Sequence, residues 1–268
     1  MPTAALYLRY FWRGLKRVSR LSRSGAIASY LILAIGGFFT LNAVYQVMRK
    51  PGEIFAPVSG SFAKSPEATW ESYGHLFERH STSIISAEFL AAMAQIESDG
   101  NPIARTYWRW KWSWNPFEIY RPASSAVGMF QFTDGTFAAA RKFCIHDHKV
   151  AVAGPWYDFD SCWFNVFYAR NIPSHAIELT AAYLHQHVVD MLAARPTAKI
   201  SVDQKQQLAA VIHLCGASRG ARFVKRRFRA QAGERCGSHS LGNYLVKLGR
   251  MKKNFARIKN AAEIRNPK

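Results

Sequence analysis

An uncharged apolar run near the N-terminus sets the first limit on how this chain of 268 residues can fold. The run extends from Ser24 to Met48 and contains no Asp, Glu, Lys or Arg. At about 1.5 Å per residue, a helix of this length crosses a hydrocarbon layer of about 30 Å. A buried core helix and a cleaved signal peptide are the alternatives, but the run exceeds the usual signal core of about 7–15 residues and no convincing Ala-x-Ala site follows it. We therefore predict an uncleaved transmembrane signal anchor over residues 24–48.

The basic residues lie mainly at the two ends of the chain. Residues 1–23 contain six Arg or Lys and no acid, residues 24–218 contain equal numbers of basic and acidic residues, and residues 219–268 contain fifteen basic and two acidic ones. Because basic flanks stay in the cytoplasm, we expect a cytoplasmic N-terminus, a single pass through the inner membrane and a periplasmic remainder. The neutral middle argues against nucleic acid as a partner. The basic C-terminal part instead predicts contact with an anionic wall polymer, lipid head groups or a secretion-machine partner, with a solvated helix surface as the alternative.

Four cysteines suit an oxidising compartment outside the cytoplasm. They are Cys144, Cys162, Cys215 and Cys236. Four cysteines allow three pairings, and the sequence does not choose among them. We expect Cys144–Cys162 and Cys215–Cys236 because both loops are short, with buried free thiols as the alternative. The short Cys/His clusters in this chain lack a companion pair at finger-like spacing, so neither a metal site nor another cofactor is expected.

Helical patterns dominate the part of the chain that follows the anchor, and we expect no strand alternation of useful length outside one aromatic segment. Residues 49–65 contain turn residues and few large apolar side chains, which is typical of a linker. The predicted helices run over 66–79, from Ser86 to Asp99, over 134–141, onward from Ser174, and from a capping box at Ser201 to Gly216. The expected fold class is therefore mainly α.

Glu97 lies near the end of the helix that Ser86 caps. It follows Met93 by four residues and Leu90 by seven, so it projects from the same apolar face. Partial desolvation disfavours the carboxylate anion and raises its pKa, as a general acid that works near neutral pH requires. A glutamate that simply points into water is the alternative.

Two short motifs carry a resemblance to a known family. Glu97-Ser98 is followed by Asn101-Pro102, and Gly128-Met129-Phe130-Gln131 comes later. In this order they resemble the lytic transglycosylase (SLT) domain family, which shares the lysozyme-like fold. The resemblance covers roughly residues 65–228 and implies a mainly α, lysozyme-like catalytic domain. The expected organisation is a basic cytoplasmic segment (1–23), the anchor (24–48), a linker (49–65), the catalytic domain (66–228) and a basic C-terminal extension (229–268).

The resemblance implies a role for each matched residue. Glu97 would be the single general acid and base. Ser98 and Gln131 would hold the glycan, and Met129 would line the cleft. Enzymes of this family need no cofactor, act on peptidoglycan glycan strands, cleave the bond between N-acetylmuramic acid and N-acetylglucosamine, and leave a 1,6-anhydro product.

The third motif of the family, normally Ala-Tyr-Asn-Ala-Gly, is replaced here by Ile212-His-Leu-Cys-Gly216. His213 therefore stands where the family has a Tyr that hydrogen-bonds near the catalytic Glu, and the resemblance makes it a substrate-site residue. A satisfied core histidine is the alternative. Leu214 replaces the family's Asn, so that sugar contact is not expected here.

Two other functions fit the same glutamate. A hydrolytic lysozyme-like muramidase would need a second carboxylate. Asp134 is the nearest candidate, although its position is typical of a helix start. A non-catalytic peptidoglycan-binding scaffold of a secretion apparatus would bind the wall without cleaving it.

An aromatic segment at residues 107–114 lies between the two motifs. Its four tryptophans alternate with other residues, at Trp108, Trp110, Trp112 and Trp114. This spacing is typical of a strand with one aromatic face. Such a face can stack on sugar rings, and a core plug or an anchor in the bilayer interface are the alternatives.

Overall fold

The computed structural model describes residues 23–55, 58–158, 160–193 and 199–265, and the predicted cytoplasmic segment lies outside these residues except for Arg23. The chain divides into two compact units. One unit contains the described residues up to Glu53 together with Trp108–Ala123, and the other contains Ile54–Tyr107 and the chain from Ser124 onward.

The first unit consists of one long helix and one β-hairpin. Helix α1 spans Arg23–Arg49, and it is the one helix among the described residues that is long and apolar enough to cross a membrane. Most of its side chains are exposed. Strands β1 (Trp108–Trp110) and β2 (Tyr120–Pro122) pair antiparallel, with Trp110 opposite Tyr120. A short 3₁₀ turn at Pro116–Glu118 precedes β2.

This hairpin groups with α1, and the predicted domain boundaries stay a prediction. The aromatic segment was expected within the catalytic domain at 66–228, whereas residues 108–123 group with α1. The predicted strand at Trp108 is present as β1, and it is one of the elements that group with α1. The indole Nε1 of Trp108 donates to Glu53 Oε2 at 2.9 Å, which ties the start of the hairpin to the chain just after α1. Contacts between residues far apart in sequence decide the grouping, and local patterns do not encode them.

The second unit is mainly helical. Its helices are α2 (Pro66–Arg79), α3 (Ala87–Ser98), α4 (Asp134–Ala140), α5 (Pro173–Ala193), α6 (Val202–Cys215), α7 (Ala217–Lys225) and α8 (Leu241–Arg265). Two short antiparallel hairpins join them, formed by β3 (Phe143–His146) with β4 (Lys149–Val152) and by β5 (Arg235–Cys236) with β6 (His239–Ser240). Two 3₁₀ turns lie at Ser59–Phe62 and Trp163–Phe167.

Side-chain caps set the helix starts as the sequence predicts. The Ser86 hydroxyl accepts a hydrogen bond from the Phe89 backbone N–H at the start of α3. Ser201 and Gln204 form the complete capping box before α6. Such caps pair backbone N–H groups that have no partner within the helix. The helices predicted over 66–79, from Ser86 and from Ser201 are therefore confirmed.

Helix α3 lies at the centre of the core, because its residues from Phe89 to Ala94 are almost completely buried. Helix α8 packs along it. The buried face of α8 carries Leu241, Tyr244, Leu248 and Phe255. The described part of residues 229–268, predicted as a basic C-terminal extension, supplies this core helix, and its basic residues lie outside the fully buried positions.

Both expected disulfides are present. Cys144 pairs with Cys162 and Cys215 pairs with Cys236, with Cα atoms 5.5 and 5.3 Å apart. The sequential pairing is therefore confirmed. The first bridge joins β3 to the residue before the 3₁₀ turn at Trp163, and the second joins the end of α6 to β5.

Candidate functional site

The chain reverses direction directly after Glu97 and Ser98. Helix α3 ends at Asp99, whose backbone is left-handed at φ 52° and ψ 41°. Gly100 follows with φ +66°, and a Cβ there would come within 2.2 Å of Thr69 Oγ1. Only glycine fits this close approach. The turn therefore places Glu97 on the last, partly accessible turn of an otherwise buried helix.

Two side chains from distant helices hold the Glu97 carboxylate. The Tyr244 hydroxyl, on α8, donates a 2.6 Å hydrogen bond to Glu97 Oε1. His213 Nε2, on α6, lies 3.5 Å from the same oxygen. The Glu97 side chain is 16% exposed and that of His213 is 10% exposed, so the group is largely shielded but reachable from solvent. The structure thus brings the predicted pair Glu97 and His213 together and adds Tyr244.

The surroundings of the Glu97 carboxylate are more polar than the apolar helix face that the sequence predicts. Burial raises its pKa, but the hydrogen bonds from His213 and Tyr244 and the electrostatic interactions with His213 and His239 outweigh burial, and the net pKa lies below the usual glutamate value. The expected raised pKa is therefore wrong for this structure, because the hydrogen-bond donors beside the carboxylate come from distant helices that the sequence pattern did not bring to Glu97. Burial and the Glu97 carboxylate raise the pKa of Tyr244 well above its usual value, so the phenol stays protonated and remains a donor.

The second disulfide stabilises the region that supplies these partners. Cys215 follows His213 by two residues, and its partner Cys236 pairs across the β5–β6 hairpin with His239. Helix α8, which carries Tyr244, begins directly after β6. One covalent bond thus links the histidine side of the site to the tyrosine side.

The second motif forms a tight turn between Val127 and Phe132, whose backbones exchange two 3.1 Å hydrogen bonds. Gly128 has φ +83°, and a Cβ there would lie 2.3 Å from the Arg170 carbonyl oxygen. The turn therefore requires glycine at this position. Gln131 also adopts a left-handed backbone, at φ 50°.

Ser98 joins the two motifs. Its hydroxyl lies 2.9 Å from the Met129 carbonyl oxygen and 3.1 Å from that of Ala94. The Met129 side chain is fully buried, so it does not line an open surface as expected. The Gln131 amide donates to the Gly128 carbonyl at 2.9 Å. In this structure the polar groups of Ser98 and Gln131 shape the turn beside Glu97, and their predicted glycan contacts stay predictions.

Arg170 is a residue that the sequence analysis missed. Its guanidinium donates to the carbonyls of Ser125 and Phe132, at 3.0 and 2.9 Å, and pairs with Asp134 at 2.8 Å. Asp134 begins α4 as expected, and its side chain is 67% exposed. This carboxylate, considered above as a second acid, is therefore paired with a cation that braces the motif.

Tyr244 is the second missed residue, and a signal for it existed. The apolar residues of α8 recur at helical spacing, at Leu241, Tyr244, Leu248, Met251 and Phe255. This recurrence predicts a core-facing helix, although it does not predict which helix it contacts. No cluster of three or more His, Cys, Asp or Glu side chains that could hold a metal occurs among the described residues.

Comparisons with known proteins leave the family open. No family model matches the chain, and neither a curated protein nor a solved structure matches it.

Proposed function

We propose that this protein is a membrane-anchored lytic transglycosylase that cleaves peptidoglycan glycan strands. The observation that carries the proposal is the environment of Glu97, a shielded carboxylate that receives a 2.6 Å hydrogen bond from Tyr244 and lies 3.5 Å from His213. Ser98 connects this carboxylate to the glycine turn of the second motif. A positioned carboxylate beside a turn matches the chemistry of a single acid that also serves as the base.

The reaction proceeds in two steps on one carboxyl group. Protonated Glu97 donates its proton to the glycosidic oxygen between N-acetylmuramic acid and N-acetylglucosamine, and the bond from C1 to that oxygen breaks. The acetamido group of the muramic residue stabilises the cationic C1. The C6 hydroxyl then attacks C1 and gives its proton to the Glu97 carboxylate. The product is a 1,6-anhydro sugar, no water is consumed, and Glu97 is protonated again.

Tyr244 and His213 act as positioning residues in this scheme. The Tyr244 phenol stays protonated and stabilises the anionic Glu97 that exists between the two steps. The hydrogen bond of His213 to the same carboxylate acts in the same direction. A lowered pKa makes the protonated Glu97 a stronger acid but reduces its population near neutral pH. Glycan binding removes water from Glu97 and so raises its pKa toward the working range.

The proposed location is the inner membrane, with one pass over residues 24–48, a cytoplasmic N-terminus and the glycan-cleaving unit in the periplasm. Helix α1 has the length and composition for such a span. The two disulfides suit a periplasmic second unit. Peptidoglycan is the substrate, and the basic residues of α8 suit contact with an anionic wall polymer, lipid or secretion-machine partner.

Product analysis with a Glu97→Gln variant tests the proposal. The variant keeps the side-chain shape but removes the transferable proton, so the release of soluble fragments should fall by at least about 10²–10⁴-fold. Full-length protein in detergent is incubated with isolated sacculi, and the soluble fragments are analysed by mass. Anhydro ends, lighter than reducing ends by one water, are expected from the parent protein. Asp134→Asn is the matched control and should keep most of the activity.

The products separate the proposal from its alternatives. Reducing ends would identify a hydrolase and require a second carboxylate. Retention of the protein on sacculi with no soluble fragments would identify a wall-binding scaffold. Either result would contradict the transglycosylase.

A further inference from the structure

We propose that the hairpin Trp108–Pro122 is a second membrane contact, which lies in the interfacial layer of the bilayer that α1 crosses. Its partner is the phospholipid surface itself. The inference rests on the proposed membrane anchor and does not depend on glycan cleavage.

Polar side chains bind the hairpin to α1. The Asn42 amide donates to the Tyr120 carbonyl at 2.7 Å, and the Gln46 amide donates to the Phe117 carbonyl at 2.6 Å. Asn42 and Gln46 are the two buried residues of α1, at 0% and 4% exposure. Buried amides at the end of a spanning helix are costly unless another group pairs with them. The hairpin backbone supplies these partners, so it covers the polar side of the helix.

Aromatic rings continue the contact along the helix. The Phe39 ring lies 6.2 Å from that of Trp110 and 5.9 Å from that of Tyr120, both edge-on. Tyr45 stacks on Phe117 with centroids 5.4 Å apart. The contact therefore extends over several turns of the C-terminal half of α1.

The position of these contacts sets the depth of the hairpin. Residues 24–41 of α1 precede the first buried amide and are about 27 Å long at about 1.5 Å per residue, which nearly matches a hydrocarbon core of about 30 Å. Residues 42–49 then lie at the level of the lipid head groups. An ion pair between Arg49 and Glu118 marks the same polar level. The hairpin, bound to this part of α1, lies at the interface.

The free side of the hairpin has the composition that interfaces favour. Trp110, Trp112 and Trp114 are 63%, 81% and 94% exposed. Arg109 and Lys111 alternate with them and are also exposed. Tryptophan concentrates at membrane–water interfaces, and basic side chains there attract anionic lipid phosphates. The same rings could stack on sugars, but their attachment to the outer end of a spanning helix favours lipid.

Quenching of tryptophan emission by brominated acyl chains tests the contact. Full-length protein is reconstituted into vesicles of phosphatidylcholine and phosphatidylglycerol, with or without bromine on the acyl chains. Trp112→Phe/Trp114→Phe should lose a large part of the bromine-dependent quenching shown by the parent protein. Trp156→Phe is the matched control, because Trp156 is 75% exposed and lies outside the hairpin. It should keep the quenching, and far-UV circular dichroism checks that both variants fold.

Two results would overturn the inference. Equal quenching in the double variant and in the parent would show that Trp112 and Trp114 do not reach the acyl chains. An emission shift on addition of soluble glycan strands that the double variant lacks, without bromine-dependent quenching, would assign the hairpin to sugar instead. Neither result depends on whether Glu97 cleaves glycan, so failure of this inference and failure of the proposed function are distinguishable.

Discussion

The two disulfide-bridged segments of the second unit differ in the structural elements that their bridges connect. The cysteines of Cys144–Cys162 are 18 residues apart, and those of Cys215–Cys236 are 21 apart. The first segment contains the exposed Trp156 and Tyr157. The second contains α7, and its ends lie beside His213 and just before the helix that carries Tyr244. One bridge therefore constrains the β3–β4 hairpin and the exposed residues that follow it, whereas the other connects the parts of the candidate site.

This difference separates stability from function. In the chain-entropy account, loops of nearly equal length stabilise a fold to nearly equal extents, about 3 kcal/mol each. Of the two bridges, however, only the second joins segments that lie next to the partners of Glu97. The two disulfides are thus expected to contribute similarly to the free energy of unfolding but unequally to catalysis.

Removal of each bridge in turn is the strongest test. Cys215→Ser/Cys236→Ser and Cys144→Ser/Cys162→Ser should each lower the free energy of unfolding by about 2–4 kcal/mol. Only the first variant should also lose most of its release of anhydro fragments well below its unfolding midpoint, because it removes the bond between the end of α6 and the β5–β6 hairpin that precedes α8. Thermal unfolding and sacculus digestion at low temperature measure the two effects. Equal loss of activity in both variants would contradict the comparison.

Tyr244→Phe should lower activity by about 10- to 100-fold, because a hydrogen bond to a charged group is worth about 1.5–3 kcal/mol. The pKa of Glu97 should also be higher in the variant, since the hydrogen bond from the Tyr244 hydroxyl lowers that pKa in the parent protein. Sacculus digestion across a pH series reports both effects. Tyr157→Phe, in the other bridged segment, is the control and should change neither. If Tyr244 had only a structural role, the pH profile of the variant would match that of the parent protein.

His213→Gln should move the pH profile with a smaller change in maximal activity. Burial alone raises the pKa of Glu97, and the His213 hydrogen bond and charge are the largest factors that lower it. Removal of the histidine therefore raises the pKa of Glu97. Because Glu97 must be protonated to donate, the pH at which kcat/KM declines should shift upward. His187→Gln, whose histidine lies 4.3 Å from the Tyr183 ring, should leave the profile unchanged.

Local signals made much of the fold predictable. Ser86 and Ser201 are strong N-caps, and the buried face of α5 follows helical spacing at Ile177, Ala181, Leu184 and Val188. Such features depend on residues within a few positions of each other. The position of Glu97 on an apolar helix face is also a local feature. The sequence therefore predicted that Glu97 lies beside the core, but it did not predict the side chains that contact it.

The partners of Glu97 were harder to predict. Tyr244 lies 147 residues away in sequence, and periodicity does not specify which buried faces meet. Because α8 contains many Lys and Arg residues, its apolar face was not recognised, and the segment was predicted to be a basic C-terminal extension. Arg170 binds backbone carbonyls, which leave no pattern in the sequence. The lowered pKa of Glu97 depends on its contacts with His213, Tyr244 and His239, and it was missed with them.

The late position of Tyr244 has a consequence for how the protein is made. A chain synthesised from its N-terminus completes α3 long before α8, so the surface of α3 that α8 covers stays open until nearly the whole sequence has emerged. During that interval Glu97 lacks its phenol partner. Contacts between such distant segments form slowly, because the loop between them must first close. A truncated chain that stops before Leu241 would keep both recognisable motifs and still lack the completed site.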